Sequence, residues 1–503
     1  MSDGLPVSLM GWRVVFFFVG WAFFDVRPWK KVGRKQKYGY LVLQIRTLLH
    51  VLTKRLFMNR VQKALERASE TRAVEIGSGI LPRVGKMFGQ LFPGQEALIV
   101  ADTNTYEVAG RAVRQFLEEA GIPQQEPYIF DDPDLHAEWR FVEQLDERLK
   151  QTEAVVVAVG SGTINDLSKL CSYHQGRRYM CVATAASMDG YAAYGASVIF
   201  EGNKQTFECP APLAVLADTA VIAGAPSEMT ASGYADLFAK VPAGADWILA
   251  EELGVEPIDS FAFSVVQDGL KDALADPAGV RSGDEKKIEA LIEGLMLGGF
   301  AMQASRTSRP ASGADHQFSH LWDMEHHTFH GHAPSHGFKV SIGMLASTAL
   351  YEQLLATDIP HLDIEACVEA WPTPEQADRF ALELYAGTDF PELGLRETRA
   401  KYVPKEKLRE QLSLLKNNWP RIKERLQAQL VPFSEAKRRL DLVGAPTDPS
   451  QIGITRERLR SDFIKAQHIR RRFTILDVAV RTCMLDRWVD VILSPAGVWP
   501  PLK

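Results

Sequence analysis

Residues 154–170 read AVVVAVGSGTINDLSKL, and this stretch decides the fold. The unbroken apolar run over 154–159 suits a strand buried on both faces, and it leads through Gly160-Ser161-Gly162-Thr163 into an amphipathic segment. Glycine allows close backbone approach to a ligand, and the free N–H groups opening a helix attract an anion, so a pyrophosphate suits this turn. The third glycine of the dinucleotide fingerprint is missing; taken alone, the segment reads equally well as an ordinary strand-to-helix turn.

Around this stretch, β-branched runs alternate with amphipathic ones from about Thr71 to Asp218. Strands are expected at 73–76, 97–101, 154–159, 180–183, 197–200 and 213–216, with helices over 106–120 and 135–151, a pattern that indicates a parallel α/β sheet. Asp102 ends the second of these strands. A carboxylate there accepts hydrogen bonds from an adenosine ribose and favours NAD over NADP; it also reads as an N-cap for a helix opening near Asn104. After Pro226 helical periodicity takes over, at 285–303, 363–369, 405–415 and 456–466. The expected organisation is an apolar and basic extension over residues 1–70, an α/β dinucleotide-binding domain over 71–225, and an all-α metal- and substrate-binding domain over 226–503.

Composition narrows the function. The 503 residues exceed one ordinary core, and 46% hydrophobic with 24% charged residues describes a soluble globular chain. A formal charge of -6 gives no general attraction to phosphate backbones, which leaves small molecules rather than nucleic acid as ligands. The five cysteines are odd in number and form no C-x-x-C pair, which argues against a disulfide framework and a thiolate zinc site; buried thiols in a reducing, cytoplasmic setting are expected. Residues 14–24, VVFFFVGWAFF, are wholly apolar but too short to span a bilayer, and Lys30, Lys31, Arg34, Lys35 and Lys37 follow. A membrane-surface anchor over residues 1–57, a signal-like segment and an arm docked on the protein itself compete here, as does translation from Met58.

Seven of the twelve histidines fall between His316 and His336. Packing does not require such a density. His316 and His320 share a helix face, as do His332 and His336 if that stretch is helical. Neutral imidazole with a carboxylate suits a divalent ion such as zinc or nickel, and an open coordination position makes the ion a Lewis acid. Asp236, on the helix opening the second half, is a candidate third ligand, but spacing does not select it among 63 acidic residues.

Several strings together resemble one family: VEIGSGIL near Glu75, VADTNTYEVAG at Asp102, VGSGTINDLSK at Gly160, TAASMDG at Thr184, SGYADLFAK at Asp236, SRPASGADHQFSH up to His320, and SHGFKVSIG at His336. In order and approximate spacing, over about 410 residues, they resemble the dehydroquinate synthase-like, iron-containing polyol dehydrogenases, and within these the sn-glycerol-1-phosphate dehydrogenase family. The resemblance implies one divalent metal ion held by Asp236, His316 and His336, with His320 beside the substrate. It places Gly160, Gly162, Thr163, Ile164, Asn165 and Asp166, with Thr184, Ala185, Ala186 and Ser187, along NAD or NADP, and Asp189 against the substrate. It further implies a homo-oligomer that reduces dihydroxyacetone phosphate to sn-glycerol 1-phosphate: the ion polarises the ketone, nicotinamide delivers hydride to C2, and a proton arrives through water or His320.

The chain departs from that pattern in places. Ala193 stands where a serine is common, ATAAS precedes Asp189 where proline is usual, and His330 or His332 could supplement the metal site. The N-terminal arm has no counterpart. Three alternatives keep or lose the chemistry: a 3-dehydroquinate synthase-like lyase, disfavoured by Asp rather than Glu at 236 and by the short glycine turn; a dehydrogenase of an unphosphorylated polyol; and a non-catalytic relative, disfavoured because all three ligand positions are filled.

Overall fold

The computed structural model describes residues 60–501 apart from residue 202, together with two short strands, β1 (Val7–Leu9) and β2 (Trp12–Val14), paired antiparallel. The proposed membrane anchor over residues 1–57 otherwise lies outside the described residues, among which no helix is long and apolar enough to cross a membrane.

Six strands form a wholly parallel sheet: β3 (Ala73–Gly77), β4 (Ala97–Asp102), β5 (Tyr128–Phe130), β6 (Val155–Gly160), β7 (Met180–Ala183) and β10 (Ala214–Asp218), in the order β3-β10-β7-β6-β4-β5. Strand β6 is buried along its whole length, as its continuous apolar sequence requires. Side chains alternate between the faces: Leu98, Val100, Val156 and Ala158 join one core, Ile99, Val157 and Val159 the other. The chain leaves β4 toward β5 on one side and β6 toward β7 on the other, so the carboxyl ends of these adjacent strands flank a topological switch point. Parallel sheets bind ligands at such a crevice, and Asp102 and Gly160 sit on its two sides.

Two expectations need correction. The run at 197–200 does not join the sheet but forms a separate antiparallel hairpin, β8 (Ala196–Phe200) with β9 (Asn203–Phe207), where Glu201 turns the chain at φ +50°. Strand β5 went unforeseen because three residues at a sheet edge are too few to show a period.

Helix α1 (Gly162–His174) follows β6 directly. The helical part opens with α2 (Ser227–Phe238) and α3 (Lys240–Glu252), and includes α4 (Glu285–Ser305), α5 (Ala314–Met324), α6 (His336–Ala356), α7 (Arg456–His468) and α8 (Ile475–Arg481). Apolar side chains of α2, α4, α5 and α6 share one core with those of α1 and the sheet, so the helices that carry the expected metal ligands are braced against the strands.

Candidate functional site

Asp236, His316 and His336 come from the last turn of α2, the first turn of α5 and the first residue of α6. They are 80 and 20 residues apart in sequence, yet one donor atom from each lies within 4.8 Å of the others, the one such group among the described residues. Two glycines permit this. A Cβ at Gly233 would run into the carbonyl oxygen of Ala186, and one at Gly337 into that of Ser232; hydrogen in their place lets α2 meet the 184–187 segment and α6 meet α2.

Each imidazole is oriented from behind. The Nδ1 of His316 faces the Asp315 carboxylate, which leaves Nε2 toward Asp236, 3.6 Å from its Oδ1. In His336, Nδ1 lies 3.5 Å from Ser319 Oγ. Such partners fix which nitrogen meets a metal. His320 shares the α5 face with His316, with ring centroids 6.1 Å apart, but stands outside the three-residue group.

Sequence reasoning missed Lys240. Its buried ammonium lies 2.8 Å from Asp236 Oδ1 and 2.7 Å from Asp189 Oδ2, while the Asp189 backbone N–H donates to Asp236 Oδ2 at 3.0 Å. Burial alone would raise the Asp236 carboxyl, but Lys240 and the hydrogen bond with His316 hold it well below the usual range. Burial and the neighbouring Asp236 carboxylate push Asp189 up. Burial would lower the Lys240 ammonium, yet the two carboxylates hold it above its usual range. The signal was the i,i+4 spacing of Asp236 and Lys240 within ADLFAK.

The expected dinucleotide residues divide by role. Gly160, Gly162, Thr163 and Ile164 form the turn and first residues of α1, whose Ser161 N-cap gives no side-chain hydrogen bond, so the opening N–H groups remain available to an anion. Asn165 and Asp166 turn toward protein. Asn165 accepts from Tyr179 Oη at 2.8 Å and donates to Gly190 O at 3.4 Å, while Asp166 faces the buried Lys169 ammonium at 3.4 Å and accepts from Ser197 N at 3.3 Å. The N–H of Thr184 donates to Gly160 O at 3.1 Å; Ala185 O accepts from Tyr191 Oη at 2.8 Å, and Ser187 O from Ser232 Oγ at 3.2 Å. This segment runs from the glycine turn past Ala186 to Asp189 and the metal-ligand group. Asp102 caps its helix: Oδ1 accepts from Thr105 N at 2.8 Å, and Thr105 Oγ1 accepts from Asp102 N at 3.1 Å.

The remaining histidines do not converge. His330 (φ +53°) and Gly331 (φ +85°) form a tight turn that pairs Phe329 with His332, so His332 is not on the helix of His336. Both His330 and His332 are exposed and outside the metal-ligand group. His327 instead lies 2.6 Å from Ile452 O and 2.8 Å from Arg458.

A parallel sheet with a glycine turn at its switch point, facing two histidines and an aspartate on a helical layer, defines the architecture of a metal-dependent dinucleotide dehydrogenase. Residues 75–226 match the family described as iron-containing alcohol dehydrogenase. The chain is 36% identical over 256 residues to the glycerol-1-phosphate dehydrogenase (NAD(P)+) of Halalkalibacterium halodurans, a match covering 50% of this chain and 64% of that relative, just under two thirds of its length. To the enzyme of that name from Bacillus velezensis it is 32% identical over 313 residues, 60% of this chain and 78% of the relative. In fold it is similar to a probable glycerol dehydrogenase from Sinorhizobium meliloti 1021, with a TM-score of 0.51, 16% identity, and 83% and 97% of the two chains covered. The chain belongs to the glycerol-1-phosphate dehydrogenase family of the iron-containing alcohol dehydrogenases, NAD(P)-dependent oxidoreductases that take a divalent metal ion.

Proposed function

We propose that this chain reduces dihydroxyacetone phosphate to sn-glycerol 1-phosphate with NADH or NADPH, and that Asp236, His316 and His336 hold the metal ion, zinc or nickel. The observation that supports it most is the convergence of these three side chains next to His320, which lines a cavity of about 720 Å³. Two nitrogens and one carboxylate oxygen suit zinc or nickel, and leave a position open for substrate. An ion held there supplies Lewis acidity to the ketone, and the dinucleotide supplies the hydride. The chain's own residues do the rest. The opening N–H groups of α1 bind the pyrophosphate; Lys240 keeps Asp236 ionised as a ligand and fixes Asp189 at the substrate's edge; His320 holds a proton for the developing alkoxide. Five unpaired cysteine thiols support a reducing, cytoplasmic setting.

The test follows NADH and NADPH oxidation with dihydroxyacetone phosphate, with dihydroxyacetone, and after chelation. Oxidation that requires the phosphorylated ketone, vanishes on chelation and returns with added zinc or nickel supports the reading. Equal rates on the two ketones favour a dehydrogenase of unphosphorylated polyols, and no oxidation with either ends the dehydrogenase reading.

A further inference from the structure

The cavity beside His320 is rich in guanidinium: Arg309, Arg396, Arg470, Arg471 and Arg472 line it against Glu256, Glu397 and Asp323. Four of the five have protein partners. Arg309 donates to Phe473 O and Asp246 O, both at 3.0 Å, and lies 3.2 Å from Glu256. Arg396 and Arg471 share Glu397, at 2.9 and 3.1 Å. Arg472 donates to the neutral groups Ser312 O at 2.6 Å and Ser308 Oγ at 2.7 Å and makes no direct ion pair among the described residues. The Asp323 carboxylate is already paired with Lys339. Arg470 is half-buried and lines the cavity; it makes no hydrogen bond or ion pair among the described residues, while the Glu397 and Asp315 carboxylates act on it through space. Burial, reinforced by Arg470 and Arg309 and opposed by Glu256 and Asp315, pushes Arg472 down to about 9.

Resting on the activity proposed above, we infer that Arg470, with Arg472 behind it, is the subsite for the phosphate of the ketone substrate. Among the described residues the planar fork of Arg470 has its donors unspent, as bidentate capture of a phosphate monoester requires, and a dianion would add negative charge to a pocket lined by five arginines and three acids. His320 lines the same cavity and lies 6.1 Å from His316 and 6.4 Å from His336 between ring centroids, so the wall that carries Arg470 also carries a neighbour of the candidate metal ligands. Ser197, Gln205 and Thr206, from the β8–β9 hairpin, line it as well and offer hydroxyl and amide donors.

The experiment compares kcat/KM on dihydroxyacetone phosphate and on dihydroxyacetone for the metal-loaded wild type, Arg470→Met and Arg470→Lys, with inorganic phosphate as competitor. The expected result is a ratio between the two substrates that falls at least about tenfold in Arg470→Met, carried by KM for the phosphorylated ketone, and recovers only in part in Arg470→Lys, which keeps charge but not the fork. Phosphate should compete in the wild type and at least about tenfold more weakly in Arg470→Met. An unchanged ratio, or equal losses on both substrates, in a wild type that prefers the phosphorylated ketone overturns this subsite and leaves the activity standing. A wild type without that preference overturns both. Should Arg470→Met not fold, Arg470→Lys and the wild-type competition decide: an unchanged ratio with no competition by phosphate overturns the subsite, and a lowered ratio with competition supports it.

Discussion

Lys240 lies one helical turn beyond Asp236 and bridges it to Asp189, joining two fully buried side chains and one partly buried one in a single ion cluster. Two carboxylates this close are tolerated because an ammonium stands between them. Replacing it with the apolar side chain of Lys240→Met leaves them facing each other without compensation, a loss of about 3–5 kcal/mol. Because a divalent ion at Asp236 would restore part of the missing charge, zinc should recover more stability in Lys240→Met than it adds to the wild type. Chemical denaturation with and without zinc measures both. A metal-free variant as stable as the wild type would show that Lys240 carries no such burden.

Asp315 orients His316 from behind without belonging to the candidate metal-ligand group. Its other oxygen, Oδ1, accepts from Gly313 N at 3.1 Å, so the carboxylate also fixes the start of α5. Asp315→Asn keeps the shape but weakens the acceptor, and should lower metal affinity roughly 10–100-fold with a small effect on folding. Competition with a chromogenic chelator gives the affinity; an unchanged value would show that His316 needs no partner.

How much of this was legible beforehand follows from the distance over which each signal acts. The strand-turn-helix at Gly160 is local: apolar run, glycines and amphipathic segment adjoin, and all three appeared where expected. Ligand convergence is not local. That Gly233 and Gly337 bring α2 and α6 together is a property of three-dimensional approach, and composition showed only that histidines crowd one region. Ordered resemblance to a family picked out Asp236, His316 and His336; periodicity could not. The Arg470-Arg471-Arg472 run is plain in the sequence, but its place beside His320, about 150 residues earlier, arises only when α7 packs on α5. For His332 local chemistry did speak, since His-Gly at 330 and 331 is a turn, and the helical alternative gave it too little weight.

Asp102 was read both as a ribose acceptor and as a cap, and the two roles separate by substitution. Asp102→Ala should cost about 1 kcal/mol through the lost cap, whereas Asp102→Ser retains a capping hydroxyl and should melt close to the wild type. If the carboxylate also reads the ribose, Asp102→Ser raises KM for NADH several-fold and shifts preference toward NADPH, whose phosphate it no longer repels. Melting curves paired with KM for both dinucleotides check this. A Ser variant with wild-type KM for both would leave Asp102 as a cap alone.

Asp246 gives the fold a pH dependence of its own. It is fully buried on α3, accepting from Tyr351 Oη at 2.6 Å and Ile475 N at 2.8 Å on one oxygen and from Ala314 N at 2.7 Å on the other, so it ties α3 to α6, α8 and the start of the helix bearing His316. Burial pushes its carboxyl from the ordinary 3.8 up to about 7, although these hydrogen bonds pull the other way. In the unfolded chain the carboxyl gives up its proton near 4; in the folded one it keeps it to near 7. Between these values the native state binds the extra proton, so the unfolding free energy declines as pH rises, by on the order of 1 kcal/mol per pH unit, and levels off above about 7. Asp246→Asn cannot titrate. The stability of the wild type relative to that variant should therefore fall from about pH 4 to about pH 7 and then stay constant, while a difference independent of pH would mean that Asp246 is ionised in the native protein throughout.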